Sequence, residues 1–152
     1  MKTSTMYVII VAAIVVLFIA AAGLYIKVIG LPLDETEVRE TADPIAEGIF
    51  VALDTGEYSL FIEHMDTTMT EIHNESVFNE LSSWVLTTIG NYTSKEYWKA
   101  ESTQGFVQVY YMAGYTGEPA GVVVLVVLTG TGEDAEVSGL WFDSPKIRAE
   151  IE

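Results

Sequence analysis

The chain has 152 residues, half of them apolar, with 22 acidic against 7 basic side chains, a net charge of −15 and no cysteine. That length holds one domain plus a tail or an anchor. The missing thiols exclude a disulfide framework, a cysteine nucleophile and Cys-type zinc or iron–sulfur centres. The acidity excludes nucleic acid, whose phosphates need a basic face, and the apolar half excludes disorder.

The polarity is sorted along the chain. Residues 6–26 contain a single non-apolar member, Gly23, and no charge. As a helix this stretch covers about 31 Å, the thickness of a bilayer's hydrocarbon core, and a helix satisfies its own backbone where lipid cannot. Tyr7 and Tyr25 sit near its ends, where amphipathic rings prefer the interface, and Lys2 and Lys27 flank it. The expected organisation is a short tail at 1–5, a transmembrane anchor at 6–29, a juxtamembrane linker at 30–40 and an α+β domain at 41–148. Ala20-Ala21-Ala22 has the spacing of a signal-peptidase site, but the apolar run exceeds a signal core, which favours an uncleaved anchor. The sequons Asn74-Glu75-Ser76 and Asn91-Tyr92-Thr93 make Asn74 and Asn91 glycosylation candidates and favour an extracytoplasmic domain. The rest of the chain, beyond residue 33, carries 22 acids and 5 bases.

Val38, Ala42, Ile45, Ile49, Phe50 and Leu53 recur at helical spacing, and Gly56 ends that element. Pro44 fits the first turn of a helix capped by Asp43; a helix starting near Glu35 would instead be kinked by Pro44. A short second helix is expected at 58–65 and a third at 70–89, stopped by Gly90. The period then changes to two. Strands are expected at 95–102, at 106–115 with Val107, Val109, Tyr111 and Ala113 on one face, at 121–128 and at 135–143. The continuous β-branched run at 121–128 reads as a central strand covered on both faces. About three helices followed by four strands with short connections describe an antiparallel meander with helices on one face.

That order resembles the nuclear-transport-factor-2-like (cystatin-like) superfamily, in which a sheet curls around a long helix into a cone. Within it the chain is similar to a prokaryotic family known as domain of unknown function 3887. The residues carrying the likeness are Ala46 to Leu53 followed by Gly56-Glu57-Tyr58, then Phe61 to Met69, Leu81 to Gly90, and the closing Val137-Ser138-Gly139-Leu140-Trp141-Phe142. The resemblance implies the cone fold and brings no catalytic motif.

His64 and His73 are the only histidines, and His64-Met65-Asp66 joins a base to a carboxylate. On a helix, however, positions i and i+2 point apart, and no H-x-x-x-H or E-x-x-H pattern occurs. The acidic runs at 34–37 and 133–136 lack the ligand rhythm of a calcium loop. No catalytic residue, metal or cofactor is therefore assigned. Tyr92, Tyr97, Trp98, Tyr110, Tyr111, Tyr115 and Trp141 fall on predicted strands, and a cone-fold cavity would place Tyr97, Tyr110, Tyr111 and Trp141 against a ligand.

The expected function is thus a membrane-anchored extracytoplasmic module that binds a partner or a small ligand. Its partners are the bilayer through residues 6–26 and an envelope protein or a further copy of the chain. The alternatives are a structural subunit of an envelope assembly or secretion apparatus, and a cone-fold isomerase- or cyclase-like enzyme using a cavity acid or histidine.

Overall fold

A computed structural model describes residues 33–151. The anchor expected at 6–29 and the tail at 1–5 lie outside the described residues. Among those described, no helix is long and apolar enough to cross a membrane. The architecture is α+β. The helices α1 (Glu35–Thr55), α2 (Tyr58–Phe61), α3 (Thr67–Ile72) and α4 (Glu75–Thr88) precede the strands β1 (Tyr92–Thr103), β2 (Phe106–Tyr115), β3 (Glu118–Thr129) and β4 (Glu136–Asp143), and α5 (Pro145–Ile151) follows them. The strands form one antiparallel sheet in sequence order.

Helix α1 starts at the earlier of the two positions the sequence allows. The Asp34 carboxylate accepts from the backbone N–H groups of Thr36 and Glu37 and so caps the first turn. Residues 35–40, expected as linker, are therefore helical, and Val38 already belongs to the core. Pro44 sits inside the helix on its exposed side, where the carbonyl it leaves unpaired can be solvated. Ala42, Ala46, Ile49, Phe50 and Leu53 give α1 its buried stripe.

The helix expected at 70–89 is two helices. His73 caps the end of α3, and the Asn74 side chain accepts from the N–H groups of Ser76 and Val77 to start α4. The buried Ser82 hydroxyl donates to the carbonyl of Leu53, joining α4 to the end of α1. After α4 the chain must turn sharply at Gly90, which has a φ of +88°; a β-carbon there would collide with Thr116 and lie 2.7 Å from the amide of Gly117. At the far end Ser144 caps α5, ahead of Pro145 in the first helical position.

The sheet alternates as its period demands. Val107, Val109, Tyr111, Ala113 and Tyr115 of β2, and Val122, Val124, Val126 and Leu128 of β3, are buried under the helices. The opposite face has no cover among the described residues. Strand β3 is central, as expected, but covered on one side only: Val123, Leu125 and Val127 remain partly exposed. Gln104 and Gly105, both at positive φ, form the two-residue turn between β1 and β2.

Candidate functional site

The seven tyrosine and tryptophan residues on the strands do not line one cavity. They divide between the two faces of the sheet.

Tyr92, Tyr97, Tyr111 and Tyr115 point towards the helices. Tyr111 is fully buried, packs edge-on against Phe50 and Tyr97, and donates its hydroxyl to Asp43 Oδ1 at 2.8 Å. Arg39 approaches the other Asp43 oxygen at 3.8 Å and lies over the Tyr97 ring at 4.9 Å. Tyr92 donates to Glu47 at 2.8 Å, and Lys95 reaches the same carboxylate. Burial, followed by the nearby carboxylates, pushes the hydroxyl pKa values of Tyr92, Tyr111 and Tyr115 well above the ordinary tyrosine range; it also raises that of Tyr97. These phenols are neutral donors that fasten α1 to the sheet. The hydroxyls of Tyr97 and Tyr115 are buried without a partner. Beside Tyr97, α1 borders an open groove of about 420 Å³ lined by Glu35, Arg39 and Asp43. It is not an apolar pocket that would hold an aromatic ligand, and of its lining acids Asp43 already has both oxygens facing Tyr111 and Arg39.

Trp98, Tyr110 and Trp141 stand on the uncovered face. The register explains why. Lys99 pairs with Tyr110, Tyr110 with Leu125, and Leu125 with Trp141, so these four side chains form one row across the sheet. A bulge in β1 between Tyr97 and Lys99 makes Trp98 the extra residue. It brings Trp98 and Lys99 together over the open face while Tyr97 and Ala100 stay beneath it: the Trp98 and Tyr110 rings lie 6.1 Å apart, with the Lys99 ammonium 4.6 Å from the Tyr110 centroid. Trp141 is 72% exposed, Trp98 57%, Phe106 41% and Met112 39%. Val123, Leu125 and Val127 fill the ground between them, and Gly139, facing Val127, adds no side chain over it. The ion pairs Lys99–Glu101 and Arg148–Asp143, both 2.6 Å, border the patch.

The histidine reading finds no constellation. His64 is exposed, whereas Asp66 spends its carboxylate on capping α3 at Met69 N–H, 2.7 Å away. His73 Nδ1 lies 3.0 Å from the Met69 carbonyl, with its ring against Phe61. Among the described residues, no group of three or more His, Asp and Glu side chains is placed to hold a metal. Asn74 and Asn91 are exposed, and both lie on the helix side of the molecule. Asn74 caps α4 through its oxygen, and Asn91 Nδ2 donates to Asp54 at 3.0 Å.

Sequence reasoning singled out Tyr110 and Trp141 but missed Phe106, Met112 and the aliphatic ground of β3. The available signal was that 121–128 is apolar at both parities while the chain supplies helices for one face. Comparison of the chain with protein families, curated proteins and solved structures finds no match.

Proposed function

We propose that the chain is a membrane-anchored, extracytoplasmic protein-docking module, with the uncovered face of its sheet as the docking surface. The observation that carries this reading is the row Lys99–Tyr110–Leu125–Trp141, a continuous strip of aromatic and aliphatic surface on a rigid sheet. Soluble domains rarely leave so contiguous an apolar patch in water without a use for it. The aliphatic ground between the rings favours a protein partner over a glycan, because valine and leucine offer nothing to sugar hydroxyls. The anchor at 6–29 follows from the length and apolarity of that stretch, and the cone-like arrangement from the likeness to the nuclear-transport-factor-2-like superfamily. A long α1 laid over a four-stranded meander supports the latter.

Two measurements on cells making the full chain test the reading. Alkaline carbonate should leave the protein in the membrane pellet, and protease added outside should digest residues 33–151; release by carbonate, or protection until lysis, refutes the placement. A benzophenone amino acid in place of Trp141 should photocrosslink to polypeptide, whereas the same probe at Glu80, exposed on α4, should not. Equal labelling from both positions, or none from position 141, refutes the docking surface. Occupancy of the sequons is read by Ser76→Ala and Thr93→Ala, which spare the Asn74 cap and the Asn91 contact while removing the acceptor motifs.

A further inference from the structure

The apolar sheet face rests on the docking reading above, and its composition goes further: we infer that its occupant is a second copy of this chain, packed sheet to sheet.

The first argument is area. The exposed parts of Trp98, Trp141, Phe106 and Met112 leave on the order of 400–500 Å² of apolar surface in water. Tyr110, Leu125 and the flanking valines bring the face towards the ~800 Å² per partner of a standard interface. An alternating antiparallel strand needs polar side chains on its solvent face; β3 has Val123, Leu125 and Val127 there instead. The sequence of β3 is that of a strand covered on both faces, and the described residues cover one.

The second argument is charge. Thirteen of the 22 acids lie between Asp34 and Glu80, in the helical part of the chain, against one base, Arg39. Two such molecules repel, and the approach that best separates their acids puts the helical layers outside and the sheets together. Lys99 and Arg148 each neutralise an acid at the border of the open face, which also carries Glu96 opposite Met112 and Glu136 opposite Thr129.

The third argument is self-complementarity. A two-fold axis lying between the sheets, parallel to the strands and passing between β2 and β3, sets β1 of one copy against β4 of the other. The row then maps onto itself reversed: the Trp98–Lys99 end meets Trp141 of the second copy, and Tyr110 meets Leu125. A cation and an indole thus face an indole at both ends, with aliphatic contact in the middle. Aligned sheets pack about 10 Å apart in this way.

The chain lacks cysteine, so a single introduced thiol reports its own surroundings. The full-length Gln108→Cys protein, diluted in phosphatidylcholine vesicles and treated with a bismaleimide spanning about the 10 Å between packed sheets, should give a covalent dimer. Glu80→Cys should remain monomeric. Adding Trp141→Ala to Gln108→Cys should raise the dissociation constant about tenfold or more, as truncating a central anchor does. Trp141 is largely exposed, so this change spares the core; Trp98→Ala provides a second, independent truncation. Dimerisation should also shift tryptophan emission to the blue and protect it from iodide. A dimer that survives both truncations arises from another part of the chain and overturns the inference. So does a monomer at all densities, or a tryptophan blue shift caused by lipid without crosslinking. If the cells' crosslinks from position 141 join only other polypeptides, the second copy is refuted while the docking surface stands. No crosslink of any mass refutes both.

Discussion

The two faces of the sheet are built from the same kinds of residue and held to opposite standards. On the helix side every aromatic ring is locked: Phe50 lies 5.3 Å from Tyr92, 6.3 Å from Tyr111 and 6.2 Å from Phe142, and Tyr111 and Tyr92 end in hydrogen bonds to α1. On the open side Trp98 and Tyr110 touch each other and Lys99, while Trp98, Trp141 and Phe106 remain in water. Residue type therefore does not separate core from open face in this molecule. The placement of α1, and the one-residue bulge at Trp98, does. The difference gives two kinds of sensitivity: one face carries the stability of the domain, while the other can be altered without unfolding it.

The largest effect expected from that contrast comes from a pair of truncations in the same assay. Phe50→Ala empties a site with no solvent exposure and should cost about 3–5 kcal/mol of unfolding free energy. Trp141→Ala, made at 72% exposure, should shift the stability of the single domain by less than about 0.5 kcal/mol. Urea unfolding followed by far-ultraviolet circular dichroism, at a concentration where the chain is monomeric, compares them directly. Comparable losses at the two positions would mean that the open face is part of the core and would erase the distinction.

The covered face should also respond to alkali. In the unfolded chain Tyr92, Tyr111 and Tyr115 ionise near pH 10. In the folded domain burial, joined by Glu47, Asp43 and Asp54 respectively, keeps each hydroxyl protonated well beyond that. With folded values raised above unfolded ones, the contribution of these groups is fully present below pH 10. It is lost as the pH climbs from there through the folded values, because the unfolded state sheds protons that the folded state retains. Phenolate absorbance in a pH titration should therefore rise in a cooperative step that coincides with loss of circular dichroism. Smooth ionisation of all tyrosines in a still-folded domain would contradict the burial of the covered face.

Much of this division was legible in the sequence. The helical stripe of α1, the strand at 106–115 with its buried side, and the two-residue change of period after Gly90 all follow from spacing, because one covered face imposes one apolar register. Three features were not legible. Local chemistry favoured a start of α1 at Pro44 with Asp43 as its cap, whereas the Asp34 cap and the packing of Val38 set the start at Glu35. The break at His73–Asn74 hides in a run whose apolar period continues across it, because Asn74 serves as a cap without interrupting the pattern. The bulge at Trp98 shifts the parity of β1 by one, so the alternation read from residues 95–102 cannot tell which aromatic faces which way. Tyr97, Tyr110, Tyr111 and Trp141 divide between the faces for a simpler reason: Tyr110 and Tyr111 are adjacent in an unbulged stretch of strand, where successive residues point to opposite faces.

The smallest expected effect concerns the rim. Arg148 donates from two nitrogens to both oxygens of Asp143, at 2.7 and 2.6 Å, and this pairing draws the Asp143 carboxyl below the ordinary aspartate range. Both partners are substantially exposed, so solvent screens the attraction and the pair contributes little to folding. With the folded value depressed, what contribution exists is present above the ordinary carboxylate range and fades as the pH falls through the folded value. Arg148→Gln should therefore leave the unfolding midpoint almost unmoved at neutral pH and let Asp143 titrate closer to its ordinary range, which carboxyl carbon shifts across an acid titration would read. The same change strips one of the two cations at the border of the open face. If two acidic copies meet there, it should weaken their association at low ionic strength, and added salt should restore part of the loss by screening the exposed Asp143. A stability loss as large as that of Phe50→Ala would instead show the rim to be a structural joint of α5, so the two faces would not differ in kind at that edge.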